Sequence, residues 1–330
     1  ALFCFVYSTI IRCTLMNTQL LGKAIVFLLA AVGIHCLLYL GFMAWVERHS
    51  QLFKDERAIM QSDRAYDYLF LGNSHVARGI DTSLIGGAFN YGFYGENIGR
   101  SYYKLESLLQ NSPKGRFKYV VMPAEVGVHT AFMYRFNKYN YYYSRLIDER
   151  EWLSISRDYA YQANYWLDCV FVYSHFKEVL TTRDKKKQRG YMAIDQRSDA
   201  ENAKSGYIEA RTLIEDNRIE TIYDPVLMEY VKKAIELCRQ NDIKVIFVKY
   251  PLSGYFLTAT RQIVGDTALD SSPLEQIIDA NGIITLDYES VFASCGEYFL
   301  DSHHLNRAGG EALSILVAHD LAILRKSGQL

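Results

Sequence analysis

No Cys-x-x-Cys pair occurs in this chain, and it shows no surplus of either charge, no internal repeat and no low-complexity tract. Without paired cysteines, zinc-ribbon and thioredoxin-type redox readings lose the spacing they need. Its 6 cysteines are Cys4, Cys13, Cys36, Cys169, Cys238 and Cys295. The first two precede a long apolar run and the third lies inside it, leaving an odd number, so a disulfide scaffold is not indicated. Lys and Arg total 36 against 37 Asp and Glu, a net charge of -1. That balance offers no electrostatic case for a nucleic-acid partner.

What is present begins with apolar residues, which make up 50% of the 330. Such a chain can bury one large core or two small ones. Tyrosine is unusually frequent at 26 residues and clusters in the middle third. From Leu20 to Val46 the only charge is Lys23. Crossing a bilayer as a helix takes roughly 20 apolar residues, so this run is long enough even when tilted. Trp45 suits an interfacial anchor. A signal peptide would have a shorter apolar core and a small-residue cleavage site, which Phe42-Met43-Ala44-Trp45 does not supply. Met16 reads as a natural start, so residues 1–19 are expected to be an extension that is not native before Met16. Residues 20–46 are then a transmembrane anchor, 47–65 a juxtamembrane linker and 66–330 the main domain. Arg12 and Lys23 flank the run on one side and Arg48, Lys54 and Arg57 on the other, so charge alone does not orient it.

Beyond the anchor, five β-rich runs recur: Tyr68–Leu71, Ala88–Tyr91, Tyr119–Met122, Lys244–Lys249 and Ile283–Asp287. They lack clean alternation, as strands buried on both faces do. Helical periodicity falls between them, over Asn97–Leu109 and Val226–Gln240, and again over the tail Ala308–Leu324. Alternating elements of this kind predict an α/β fold with a five-stranded parallel sheet between helical layers. A segment of about residues 129–224 interrupts the pattern. It holds the run Tyr139-Asn140-Tyr141-Tyr142-Tyr143 and later the charged stretch Arg183–Arg189. It is expected to be a mostly helical insertion.

Two polar segments carry the chemistry. Tyr68-Leu69-Phe70-Leu71 empties into Gly72-Asn73-Ser74-His75, placing a serine on a strand-to-helix turn. Near the C-terminal end lies Asp301-Ser302-His303-His304-Leu305-Asn306. A serine hydroxyl becomes a useful nucleophile when a base takes its proton and a carboxylate fixes the tautomer of that base. The pattern therefore predicts a Ser74–His304–Asp301 triad. Taken singly, each segment also fits a helix cap, and Asn306 suits that role. No third ligand accompanies the histidines at helical spacing, so neither metal nor cofactor is expected.

These segments resemble the blocks of the SGNH, or GDSL-like, hydrolase family. Gly72-Asn73-Ser74-His75 is similar to its first block and Asp301-x-x-His304 to its last. Asn90-Tyr91-Gly92-Phe93-Tyr94-Gly95-Glu96 resembles the second, written Asn-x-Gly-x-x-Gly-Asp. The resemblance implies a three-layer α/β/α fold, nucleophilic Ser74, and an oxyanion hole formed by the N–H groups of Ser74 and Gly95. The third block departs from the family. Its Gly-x-Asn-Asp, whose asparagine completes the oxyanion hole, is replaced by Pro123-Ala124-Glu125-Val126-Gly127. A carboxylate at Glu125 accepts hydrogen bonds and cannot donate one to an oxyanion. Asn73, His75, Glu125 and His303 are read as candidate substrate contacts.

An anchor followed by such a domain resembles bacterial SGNH-like proteins that serve membrane-bound O-acyltransferases in modifying cell-surface polymers. That implies a single-pass protein of the cytoplasmic membrane with its domain outside the cytoplasm. It would act on acyl esters, most simply acetyl, of a cell-surface glycan. A lipase or lysophospholipase is an alternative, as is a degenerate domain that binds glycan or assists the membrane acyltransferase.

Overall fold

The computed structural model describes residues 2–62, 64–129, 139–147, 167, 169–183, 187–188, 191–195, 208, 210–211, 223–264 and 272–330. Much of the expected insertion, including its Tyr159–Trp166 aromatics, lies outside these. Helix α1 spans Leu2–His49, and its apolar stretch from Leu20 onward is long and apolar enough to cross a membrane. The large apolar side chains from Leu20 to Leu40 are mostly exposed, whereas Phe42 and Val46 are buried in the domain core. Residues 47–65, expected to be a linker, contain the end of α1 and a further helix, α2 (Gln51–Met60). Leu52, Phe53 and Ile59 of α2 join the same core, which explains why this stretch folds instead of spanning freely.

The main sheet is parallel throughout, with strand order β2-β1-β3-β6-β7. Its strands are β1 (Tyr66–Phe70), β2 (Ala88–Asn90), β3 (Phe117–Pro123), β6 (Lys244–Lys249) and β7 (Ile284–Asp287). A two-stranded antiparallel ribbon, β4 (Lys187–Gln188) with β5 (Tyr191–Met192), stands apart from it. All five predicted β-rich runs are strands of the main sheet. Alternate residues of the central strands point into two separate cores, which is why their sequences do not alternate apolar with polar. Leu69, Val120, Met122 and Phe247 face a layer containing α4 (Ile98–Gln110) and α7 (Pro225–Gln240). Tyr68, Phe70, Val121 and Ile246 face α3 (Ser74–Gly79) and α10 (Arg307–Lys326). The result is an α/β/α sandwich. Where the order turns from β1 toward β2 on one side and β3 on the other, the loops after the strands diverge and leave a crevice.

Within the expected insertion, α5 (Asn140–Tyr143) and α6 (Phe176–Arg183) are helical. Tyr139, Tyr141, Tyr142 and Tyr143 are at most 4% exposed, so this tyrosine run packs the core and does not present a glycan-binding face. Its hydroxyls bond inward: Tyr142 to the Tyr91 hydroxyl at 2.8 Å, and Tyr143 donates to Glu96 at 3.1 Å.

Candidate active site

Three loops at the carboxyl ends of the strands converge on Ser74. The first follows β1 through Gly72, whose φ of +135° is unfavourable for any side chain. A Cβ there would stand 2.7 Å from Pro123 Cγ and 2.8 Å from Val76 Cγ2, so the turn requires glycine on steric grounds as well. Asn73 caps α3, its Oδ1 accepting from the His75 N–H at 3.0 Å. That use accounts for its side-chain carbonyl. Ser74 is thereby the first residue of α3, where backbone N–H groups lack helical partners.

The second loop follows β2. Asn90 sits buried beneath it, donating to Val76 O at 2.7 Å and Ile80 O at 2.9 Å while accepting from Gly92 N at 3.0 Å. Phe93 N donates to Gly72 O at 2.8 Å, which clamps this loop against the Ser74 turn. Gly95 lies at its partly exposed tip with φ +63°. Among the described residues, neither Ser74 N–H nor Gly95 N–H donates to a protein acceptor. Glu96, next along, pairs with Lys104 at 2.8 Å, both side chains being fully buried. Ser101 Oγ donates to the same carboxylate at 2.8 Å, so α4 is fastened to the loop that ends at Gly95.

The third loop precedes α10. Asn306 caps that helix by accepting from Gly309 N at 3.1 Å, and Leu300 N donates to His304 O at 2.8 Å. Asp301 Oδ1 accepts from the backbone N–H of His303 at 3.1 Å and of His304 at 2.8 Å. Its Oδ2 lies 2.8 Å from His304 Nδ1. On the other edge of the ring, His304 Nε2 is 2.7 Å from Ser74 Oγ. A carboxylate can only accept, so the His304 proton sits on Nδ1 and Nε2 is left to accept from the serine. The fold therefore brings Ser74, His304 and Asp301 into one hydrogen-bonded relay.

Electrostatics favour that proton arrangement. Burial lowers the His304 pKa well below the usual imidazole value, and the charge of His303 pushes it further in the same direction, against the pull of Asp301. Burial raises the Asp301 carboxyl, but the hydrogen bond from His304 and the charges of both histidines outweigh it and leave the pKa lowered. A neutral base and an ionised orienting carboxylate thus coexist at neutral pH. Arg78, one helical turn after Ser74, adds a cation 3.8 Å from Asp301 Oδ2 and donates to the Tyr94 hydroxyl at 3.3 Å. It was not singled out from sequence, although Ser74 and Arg78 are four apart and so share a helix face.

The remaining candidate residues group around this relay. His75 packs edge-on against His304, with ring centroids 5.1 Å apart, and His303 lies 4.0 Å from His304 by the same measure. One ligand atom from each of these three histidines falls within 4.8 Å of the others. The expectation of no third ligand looked only along the chain, and the fold supplies one. These side chains are the ones that could hold a transition metal. Zinc with ~2.0–2.1 Å bonds to nitrogen needs a tighter cluster, and His304 Nε2 already faces Ser74. Glu125 is 5% exposed and its Oε1 stands 3.0 Å from His75 Nδ1, out of line for a hydrogen bond. Among the described residues, both its oxygens and the buried Tyr250 hydroxyl lack hydrogen-bond partners. Burial, with the Glu125 charge nearby, raises the Tyr250 pKa well above its usual value. Glu125 also lines a cavity of about 800 Å³ bounded by Lys249, Arg261, Glu275, Asp287 and Glu289, at the ends of β6 and β7. Position 125 thus carries an acceptor between the Ser74–His304–Asp301 relay and this cavity, not the donor that the SGNH pattern would have there.

No protein-family model matches the chain, and no curated protein matches it. Among solved structures, a Bacteroides fragilis protein provisionally described as an acylhydrolase aligns with 81% of this chain and 93% of its own. The two are 11% identical with a TM-score of 0.39, too distant a likeness to bear on function.

Proposed function

We propose that this protein is a membrane-anchored serine esterase or O-acyltransferase of the SGNH kind. The observation that supports it most is the aligned relay, 2.7 Å from Ser74 Oγ to His304 Nε2 and 2.8 Å from His304 Nδ1 to Asp301 Oδ2. In this reading Ser74 Oγ attacks an ester carbonyl as His304 Nε2 takes its proton. The carbonyl electrons move onto oxygen, which the N–H groups of Ser74 and Gly95 receive. Collapse expels the alcohol, protonated by His304, and leaves an acyl group on Ser74. A second hydroxyl, from water or a glycan, then gives its proton to His304 and takes the acyl group. Asp301 holds the ring throughout and offsets the charge of the imidazolium.

The absence of an asparagine donor argues for a slower hydrolase, since losing one oxyanion donor costs ~10²–10³ in turnover. A slow reaction with water suits transfer to a bound acceptor. We therefore assign the acyl acceptor to a cell-surface glycan, with a membrane O-acyltransferase as partner and an extracytoplasmic domain. Incubating the purified full chain with p-nitrophenyl acetate and acetyl-free glycan oligosaccharides tests this. Acetylated oligosaccharide formed by the parent and not by Ser74→Ala supports transfer. Free acetate alone reduces the reading to an esterase, and release of fatty acid from phospholipid instead makes it a lipase. Glu125 also favours one other reading, a non-catalytic assembly partner, which full restoration of glycan O-acetylation by Ser74→Ala in a deletion strain would support.

A further inference from the structure

The apolar surface of this chain does not end with α1. Five large apolar side chains in one short segment are exposed: Leu167 at 54%, Val170 and Phe171 at 41%, Phe176 at 49% and Leu180 at 38%. Val172 and Val179, in the same stretch, are buried against the domain. The outer side of the segment is thus mostly apolar, with the exposed Lys177 as its charged residue among those described, and an aqueous surface would not favour it.

Its position identifies what covers that outer face. Phe171 and Tyr173 meet His35 of α1 at ring-centroid distances of 5.4 and 5.9 Å, and Phe176 meets Trp45 at 4.7 Å. His35 and Trp45 are ten residues apart, so the segment follows α1 for roughly 15 Å at ~1.5 Å per residue. In the sequence the apolar run follows the polar Asn17-Thr18-Gln19 and so begins at Leu20. A hydrocarbon layer ~30 Å thick starting there takes ~20 residues and ends near Leu40. His35 then lies some five residues, or ~8 Å, inside the boundary. Phe171 is at the level of His35 and Phe176 at the level of Trp45, so the segment passes from the headgroup region into the acyl chains. Amphipathic elements that lie in the interface reach depths of ~5–10 Å.

We propose that residues 169–180 form a second membrane contact, seated in the bilayer interface beside α1. The proposal rests on α1 spanning the membrane, and its occupant is the lipid itself. Two contacts side by side restrict rotation of the domain about α1, holding the Ser74 crevice at a set height and tilt above the lipid. A single-pass tether alone would not do this.

Electron paramagnetic resonance on the full chain in lipid nanodiscs tests it. Single nitroxide labels would be placed by Val26→Cys, Phe171→Cys, Phe176→Cys and Lys232→Cys in a background with the native cysteines replaced. Circular dichroism melts would confirm that each variant folds. The readout is relative accessibility to oxygen, which partitions into lipid, and to a water-soluble nickel chelate. Labels at 26 and 171 should favour oxygen, the label at 176 should fall between, and 232, on the exposed face of α7, should favour nickel. If 26 reports lipid while 171 and 176 match 232, or are shielded from both reagents, the second contact is refuted and the anchor stands. If 26 itself reports water, the spanning reading fails and this inference falls with it.

Discussion

Replacing Asp301 by asparagine separates the chemistry of the relay from its architecture. Asp301 Oδ1 holds the loop by accepting two backbone N–H groups, those of His303 and His304, at 3.1 and 2.8 Å. The amide oxygen of Asp301→Asn can keep both. Only the Oδ2 position changes, from an acceptor 2.8 Å from His304 Nδ1 to an amide donor. Two donors cannot share that contact, and the amide oxygen 3.0 Å from Nδ1 already accepts two backbone N–H groups, so the ring favours its proton on Nε2, where it no longer accepts from Ser74. The charge that would stabilise the imidazolium is lost as well. In a comparable triad this change lowers kcat by ~10⁴, which corresponds to ~5 kcal/mol of barrier. The expected result is a ~10⁴-fold slower acylation by p-nitrophenyl acetate or a fluorophosphonate, with the thermal midpoint nearly unchanged. A fall of less than ~10-fold in a folded variant would show that His304 does not work through Asp301.

Acid dependence follows from the lowered His304 pKa. Acylation needs the neutral ring, so its rate should rise with pH through a value below the ordinary ~6.5 of histidine. His303→Gln removes the electrostatic push of that ring on His304, so the acid limb should move to higher pH, read from rate profiles of the two proteins. His129 is fully buried with its pKa lowered by burial to about 4, and its Nε2 donates to Pro123 O at 3.2 Å. Between about pH 6.5 and 4 the unfolded chain binds a proton there that the folded chain does not, so stability decreases as the pH is lowered across that range, by ~3 kcal/mol in all. His129→Gln should flatten that part of a urea-midpoint-against-pH curve. Lys104→Met strands the buried Glu96 carboxylate and should cost ~3–5 kcal/mol in urea denaturation, whereas adding Glu96→Gln should recover part of it. Gly72→Ala forces a Cβ to within 2.7 Å of Pro123 at an unfavourable φ, and should cost ~2–5 kcal/mol by the same assay.

The main sheet was legible because each of its strands is a short apolar run between polar turns, and Lys244–Lys249 matches its predicted bounds. The hydrogen-bonded grouping of Ser74, His304 and Asp301 was legible because Asp301 and His304 are three apart and Ser74 opens a helix just after a strand. Less could be read where tertiary packing decides. Helix α2 follows the apolar run as a charged stretch, and only Leu52, Phe53 and Ile59 meeting the core make it part of the domain. Helices α8 (Gly254–Val264) and α9 (Pro273–Ala280) were not predicted, although Ser272 accepting from Glu275 N is a legible cap for the second. The role of the Tyr139–Tyr143 run could not be read from sequence because tyrosine serves cores and carbohydrate sites alike, and only burial tells them apart. Likewise the contact between His75 and Glu125 joins loops fifty residues apart, a distance along which no local pattern operates.

Mass spectrometry of the full chain after reaction with a fluorophosphonate tests the nucleophile assignment most directly. The account predicts one adduct, on the peptide containing Ser74, absent from Ser74→Ala and formed far more slowly by His304→Ala. Equal labelling of Ser74→Ala, or an adduct on another residue, would contradict it.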